Sequence, residues 1–438
     1  MPETWYKVDN VAKVFLASIN RRDPRVFRVS CTLNEDVDPD RLNQALEQTA
    51  RENPQFQVTL HRGLFWHYFE STNLKPQAVP ETLAPCAMLY GPQIKNELLY
   101  RVSYYGARIN VEMFHAISDG NGGMVFLKTL VHNYLQLKNP ELANVPGEER
   151  ASKGESAQDA FRKYYTASKA AEEDPLNRKK SFHLHGRKLP YDQSQFFEAH
   201  LSAAQVLAKT RAMGVTMTSY LAAAQMLERC HALGVSMTSY LGASFMLAIY
   251  HDMPALERKK PICISLPVNL RNYYPSETAR NFFNSIRISW VFRGDETLET
   301  LAKGFDAKLR EALKDERVKA RMDGFEKLEQ MPGIKLVPLF IKNAVVNLFN
   351  TLEAKKVTLT ISNMGRIPLQ KELQPYIKGF TAFCSSTTAF TTVCSCGDDL
   401  VLGTTWAFRS TEMLKNFYRR LSAEGLDITL YATEVDGE

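Results

Sequence analysis

The residues best suited to chemistry are His115, Asp119 and Gly120, in the run Phe114-His115-Ala116-Ile117-Ser118-Asp119-Gly120-Asn121-Gly122-Gly123. An imidazole with an ordinary pKa of about 6.5 takes up a proton near neutral pH, which is what a general base must do. Asp119 has two options. Its carboxylate either faces the imidazole or turns away and locks the loop through an arginine. Gly120, Gly122 and Gly123 permit positive φ and close backbone approach. A bare His-x-x-x-Asp is more often a satisfied core histidine before a glycine turn, so the flanking elements must decide.

Those elements favour chemistry. The alternating stretches Leu98 to Tyr105 and Ile109 to Phe114 predict a β-hairpin turning at Gly106. Met124 to Leu135 carries apolar residues at helical spacing. His115 therefore stands where a strand ends and a glycine-rich turn leads into a helix. Such a position holds a side chain rigid yet open to a cavity.

Other chemistries find less support. No Gly-x-Ser-x-Gly elbow is present, which argues against a serine hydrolase. The seven cysteines are scattered. Cys394-Ser395-Cys396 alternates along an expected strand with no matching Cys/His pair, so buried free thiols in a reducing compartment are expected, and no metal site. The net charge of +6 reads as a solvated surface that would also suit an anionic ligand. No nucleic-acid motif is seen. The N-terminal residues lack the pattern of a signal peptide, and a cytoplasmic location is expected. The most apolar long run, Ile334 to Leu352, contains Lys335, Lys342, Asn343, Asn347 and Asn350. These argue for a buried or partner-facing helix over a membrane span. A helix lying on a membrane surface is the lesser alternative.

At 438 residues two domains are expected. Before the histidine come a helical pattern over 6–19, a strand Val26 to Leu33, and a helix started by Asp38-Pro39. A hairpin then turns about Arg62-Gly63. Residues 136–190 mix charges of both signs and read as a linker and crossover, helical around 157–171. Residues 201–220, LSAAQVLAKTRAMGVTMTSY, repeat as 221–240, LAAAQMLERCHALGVSMTSY. A twenty-residue shift along one helix turns its face by about 200°, so the repeat cannot lengthen a single helix. Each unit should break at Gly214 or Gly234 and restart at a Thr or Ser cap, giving three short helices in place of two. One copy should be dispensable. Later, a strand ends at Arg271, a second follows a loop from Asn281, and a charged helix pair covers 297–328. Further strands lie near 357–366, 379–386, 389–395, 399–408 and 427–432, with a helix at 411–424.

His115-x-x-x-Asp119-Gly120 on strand, loop and helix resembles the signature of the CoA-dependent acyltransferase superfamily. That group includes chloramphenicol acetyltransferase, plant acyl-CoA alcohol acyltransferases, wax ester synthases and the condensation domains of peptide synthetases. The resemblance covers most of the chain and is closest to the bacterial alcohol-acetyltransferase and condensation-like branch. It implies an α/β (α+β) fold of two halves, residues 1–175 and 176–438. Each half would be a mixed sheet with flanking helices, and the two would meet at a central tunnel with His115 at the junction.

The resemblance implies a mechanism as well. His115 would be general base for acyl transfer, acetyl above all, from a CoA thioester to an alcohol or amine. Acyl-CoA would be co-substrate, with no bound cofactor, and an acyl carrier protein the alternative donor. A non-catalytic binding descendant of the fold is a further alternative. Asp119 would support the loop, with Arg271 as its expected partner and Arg101 as the rival. The strand over Val357 to Pro368 resembles the tunnel-side strand of the wax ester synthases, which makes Ser362 and Asn363 oxyanion-donor candidates. The chain departs from the family pattern at Gln57, where condensation domains often carry an arginine, and at Asn281, where they usually have glycine. Phe282 and Phe283 read as core packing. The plant-type Asp-Phe-Gly-Trp-Gly motif is absent.

Overall fold

Alternation of apolar and polar residues builds the sheet that carries His115. Strands Val26–Leu33 and Arg108–Phe114 pair antiparallel, with Val29 opposite Val111 and Arg28 opposite Glu112. Successive side chains leave a strand on opposite faces. Ile109, Val111 and Met113 therefore enter one core with Phe126, Leu127 and Leu130 of helix Gly120–Lys138. Arg28, Ser30, Asn110 and Glu112 share the other face and bond to one another as Arg28–Glu112 and Ser30–Asn110.

The structure, a computed structural model, describes residues 5–433 except 92, 95, 149–151, 168–172, 191–192, 203–225, 227–229, 231, 330–335 and 398. Among the described residues the strands form three sheets. The five-stranded sheet runs Ile377–Cys384, Val26–Leu33, Arg108–Phe114, Tyr100–Tyr105, Ala78–Pro80. A seven-stranded sheet runs Phe283–Trp290, Ile262–Asn269, Leu359–Arg366, Ala389–Cys396, Asp399–Trp406, Gln195–Ser202, Thr429–Ala432. Strand Leu359–Arg366 is parallel to both neighbours, so the sheet is mixed. A small sheet joins Trp5–Lys7 to the hairpin of Val58–Arg62 and His67–Ser71. Strand Ile377–Cys384 comes late in the chain yet pairs with Val26–Leu33. The chain thus crosses back, and a cut near residue 175 divides the sequence more cleanly than it divides the sheets.

Helix signals agree with the structure where they are local. Asp38 accepts hydrogen bonds from Asp40 and Arg41 amides and starts helix Pro39–Glu52. Gly234 has φ +69°, and Ser236 caps helix Met237–Asp252 through the Ser239 amide. The rest of the expected repeat helices lies outside the described residues. Helix Met237–Asp252 stacks Phe245 on Phe417 at 3.6 Å in the core of the seven-stranded sheet. Among the described residues of the crossover lie two short α-helices, Lys153–Ser156 and Ala160–Tyr164, the second within the helical stretch expected around 157–171.

Of the readings open to the apolar run, the structure removes the buried one. The run forms helix Leu339–Ala354, but only Leu339 in it is buried. The helix lies on the surface against helix Asn10–Ser18. No helix among the described residues is long and apolar enough to cross a membrane.

Candidate active site

The histidine loop is held by backbone bonds on both sides. The His115 amide donates to Arg25 O at 2.7 Å, and the Ile117 amide to Phe114 O at 3.0 Å. Asp119 then adopts an extended conformation and caps helix Gly120–Lys138, its Oδ1 accepting from the Gly122 amide at 3.1 Å. The glycines are therefore the first turn of a helix, and none of Gly120, Gly122 and Gly123 has positive φ. Their use is close packing. A Cβ on Gly122 would sit 2.2 Å from Ser118 Oγ and 2.3 Å from Ala279 O; one on Gly123 would sit 2.4 Å from Phe27 Cε2. Gly122→Ala forces a backbone carbonyl to move. It should cost about 1–3 kcal/mol or more, read as a lowered melting temperature; unchanged melting would show the loop can yield.

Asp119 is 5% exposed, and its carboxylate bonds to groups other than the imidazole. Oδ2 accepts from Arg271 Nη1 at 2.8 Å and from the Phe282 amide at 2.9 Å. Arg271 in turn donates to Thr278 O at 3.0 and 2.7 Å and to Arg280 O at 2.7 Å. Of the two options open to Asp119, the geometry shows the arginine lock. The rival Arg101 is engaged by Glu112. Ser118 Oγ donates to Ala279 O at 2.7 Å, so segment 278–282 wraps the histidine loop from the other half of the chain.

The imidazole packs among Phe15, Phe27 and Phe283, with ring centroids at 4.5, 4.9 and 5.7 Å. Asn281 Nδ2 donates to His115 O at 2.8 Å, which fixes the amide orientation. Asn281 Oδ1 then faces His115 Nδ1 at 3.2 Å. An acceptor there places the ring proton on Nδ1 and leaves Nε2 with its lone pair. Nε2 makes no hydrogen bond among the described residues. Burial lowers the imidazole pKa below its ordinary 6.5, opposed by the Asp119 charge and by the Asn281 contact. The ring is thus neutral at neutral pH.

Behind Asn281 lies Asp9, 1% exposed, with Oδ2 at 3.5 Å from Asn281 Nδ2 and at 3.4 Å from Arg280. Burial pushes its carboxyl up to about 6 against the pull of Arg280. In the sequence Asn281 stands out only as a strand start that departs from glycine, and Asp9 only as one residue within the 6–19 helical pattern. Phe282 is core, packed edge-on against Phe161 at 5.3 Å. Phe283 departs from the core reading because it faces the imidazole. Neither oxyanion candidate hydrogen-bonds to the histidine loop among the described residues. Asn363 is exposed and donates to Thr238 Oγ1 at 3.0 Å, while Ser362 is half-buried on the same strand. That strand reaches the loop through Met364, whose Cε would lie 3.5 Å from a Cβ on Gly120. Gln57 bonds to the Tyr100 hydroxyl.

A cavity of about 550 Å³ opens elsewhere, on the polar face of the five-stranded sheet, between Arg28 and Arg108 on one side and Phe196 and Glu198 on the other. His115 is not among its lining residues. No group of three or more His, Cys, Asp and Glu residues among the described residues could hold a metal ion.

No protein-family model and no curated protein sequence matches the chain. Solved structures do match along nearly its whole length. Trichothecene 15-O-acetyltransferase from Fusarium sporotrichioides matches with a TM-score of 0.63 at 12% identity, over 95% of this chain and 94% of that one. F. sporotrichioides TRI101, complexed with coenzyme A and T-2, matches with a TM-score of 0.58 at 11% identity, over 98% and 99%. The first condensation domain of the CDA synthetase matches with a TM-score of 0.59 at 11% identity, over 96% and 95%. The chain has the two-half mixed α/β fold that CoA-dependent acetyltransferases and condensation domains share.

Proposed function

We propose that this protein is an acyltransferase that moves an acyl group from a CoA thioester to the hydroxyl or amine of a small acceptor, with His115 as general base. The observation that carries the reading is the imidazole held by Asn281 on one nitrogen and left free on the other. Nε2 takes the proton from the acceptor O–H or N–H as the acceptor attacks the thioester carbonyl. The C–S bond then breaks, and Nε2–H returns the proton to the departing thiolate. No covalent enzyme intermediate is needed. Asp119 acts through the loop, tying the His115 turn to Arg271 and segment 278–282. Ser362 is the oxyanion-donor candidate that the hydrogen bonding leaves available, because Asn363 is committed to Thr238.

The fold of the matched acetyltransferases, one of them complexed with coenzyme A, supports this reading. The test is to incubate the protein with acetyl-CoA and a panel of alcohols and amines and to follow thiol release. Acceptor-dependent release supports the proposal. Turnover only with carrier-protein thioesters would move it to condensation, which the CDA synthetase likeness makes the second reading. No turnover with either donor would favour a non-catalytic descendant of the fold.

Asn281 should act by positioning. Asn281→Ala removes the acceptor at Nδ1 and frees the tautomer, so kcat should fall on the order of tenfold with KM little changed. A change in KM alone would contradict this role.

A further inference from the structure

Helix Leu339–Ala354 is built inside out. Toward the protein it turns Lys342, Asn343, Val346 and Asn350, each half-buried beside helix Asn10–Ser18. Toward solvent it turns Phe340, Ile341, Val345, Leu348, Phe349 and Leu352, with Phe349 63% exposed. All but Phe340 fall within an arc of about 100° on the helical wheel. A helix that packs on a globular core ordinarily turns its apolar stripe inward.

This face continues onto the neighbouring hairpin. The Leu339 amide donates to Leu64 O at 2.9 Å, and Lys342 Nζ to Phe65 O at 3.1 Å. Leu64 and Trp66 at the hairpin tip are exposed, and one of Trp5 and Tyr6, neighbours that leave the adjoining strand on opposite faces, can join them. Singly exposed apolar residues are ordinary, but a contiguous set of this size marks an interaction surface.

We propose that this face docks on a lipid bilayer surface carrying anionic headgroups. Two features favour a bilayer over a protein partner. Trp66, joined by one of Trp5 and Tyr6, carries a ring with an apolar body and a polar edge, which settles at the headgroup level. Lys7, Arg62 and Lys355 lie on these elements or at the helix end, whereas lysine is depleted from protein–protein interfaces. Glu353 is paired with Arg287 and Lys356, which leaves Glu70, beside an imidazole that carries charge only when protonated, facing these three cations. The rim is thus cationic and matches anionic lipid. The helix would lie in the interface plane with its outward stripe among the acyl chains. Helix Asn10–Ser18 beneath it carries Phe15, which packs on the His115 ring at 4.5 Å. The docking does not rest on the proposed acyl transfer.

The test is co-sedimentation of the full chain with phosphatidylcholine vesicles, with and without phosphatidylserine, at low salt. Binding to the anionic vesicles with a blue shift of tryptophan emission is expected. The triple variant Phe340→Glu, Leu348→Glu, Phe349→Glu should lower binding about tenfold or more while melting like the parent, because these side chains are already exposed. Absence of parent binding to either vesicle, or equal binding by the triple variant, overturns the proposal. So does a parent dimer that the variant dissolves while neither binds vesicles; the covering surface is then a second copy.

Discussion

Replacing His115 by alanine should lower the proposed acyl transfer by about 10²-fold or more and leave the fold standing. The ring is partly exposed and meets Phe15, Phe27 and Phe283 along its edge and faces. The loop itself is held without the ring, by the His115 amide on Arg25 O and by Asn281 Nδ2 on His115 O. Truncation therefore removes the proton acceptor while its supports persist. The check is a rate beside a melting curve for parent and variant. Near-parental turnover would place the chemistry elsewhere.

Asp119→Asn has its largest effect on stability. Asp119 and Arg271 are both nearly buried, and the carboxylate takes three donors at once. An amide in its place halves the acceptor capacity and turns an N–H₂ toward groups that themselves donate. It also strands the Arg271 charge, so a loss of about 3–5 kcal/mol is expected. Asp119→Glu should not rescue, because one more methylene pushes the Arg271 contact outward and moves the turn that carries His115. Denaturation of both variants checks this. A large loss of rate at unchanged stability would contradict the structural role and point to an Asp119–His115 dyad.

The parts of this site that sequence made legible are the short-range ones. His115, Asp119 and the elements around them fall within one hairpin and one helix, whose periods of two and 3.6 residues show directly. Arg271 could be named because a strand ends on it, although its bond to Asp119 spans 152 residues. Asn281 could not be given a role. Its contact with the imidazole spans 166 residues and follows from how segment 278–282 wraps the loop, which no local period encodes. Phe283 read as core because strand composition does not say which face meets a site. The glycines read as a turn with positive φ; their requirement instead comes from Ala279 and Phe27 pressing on the helix start. For helix Leu339–Ala354 the sequence could not choose between a buried and a partner-facing reading. Its composition measures how apolar it is, and not which side the protein covers.

One measurement tests the central claim most directly: kcat/KM for thiol release as a function of pH. Burial lowers the His115 pKa, so the neutral base survives to pH values below 6.5 and is lost by protonation only under more acidic conditions. An acidic limb with its midpoint below 6.5, flat activity through neutrality, and no such limb in the residual rate of His115→Ala are expected. A limb centred above 6.5, or the same limb in His115→Ala, would contradict His115 as the base.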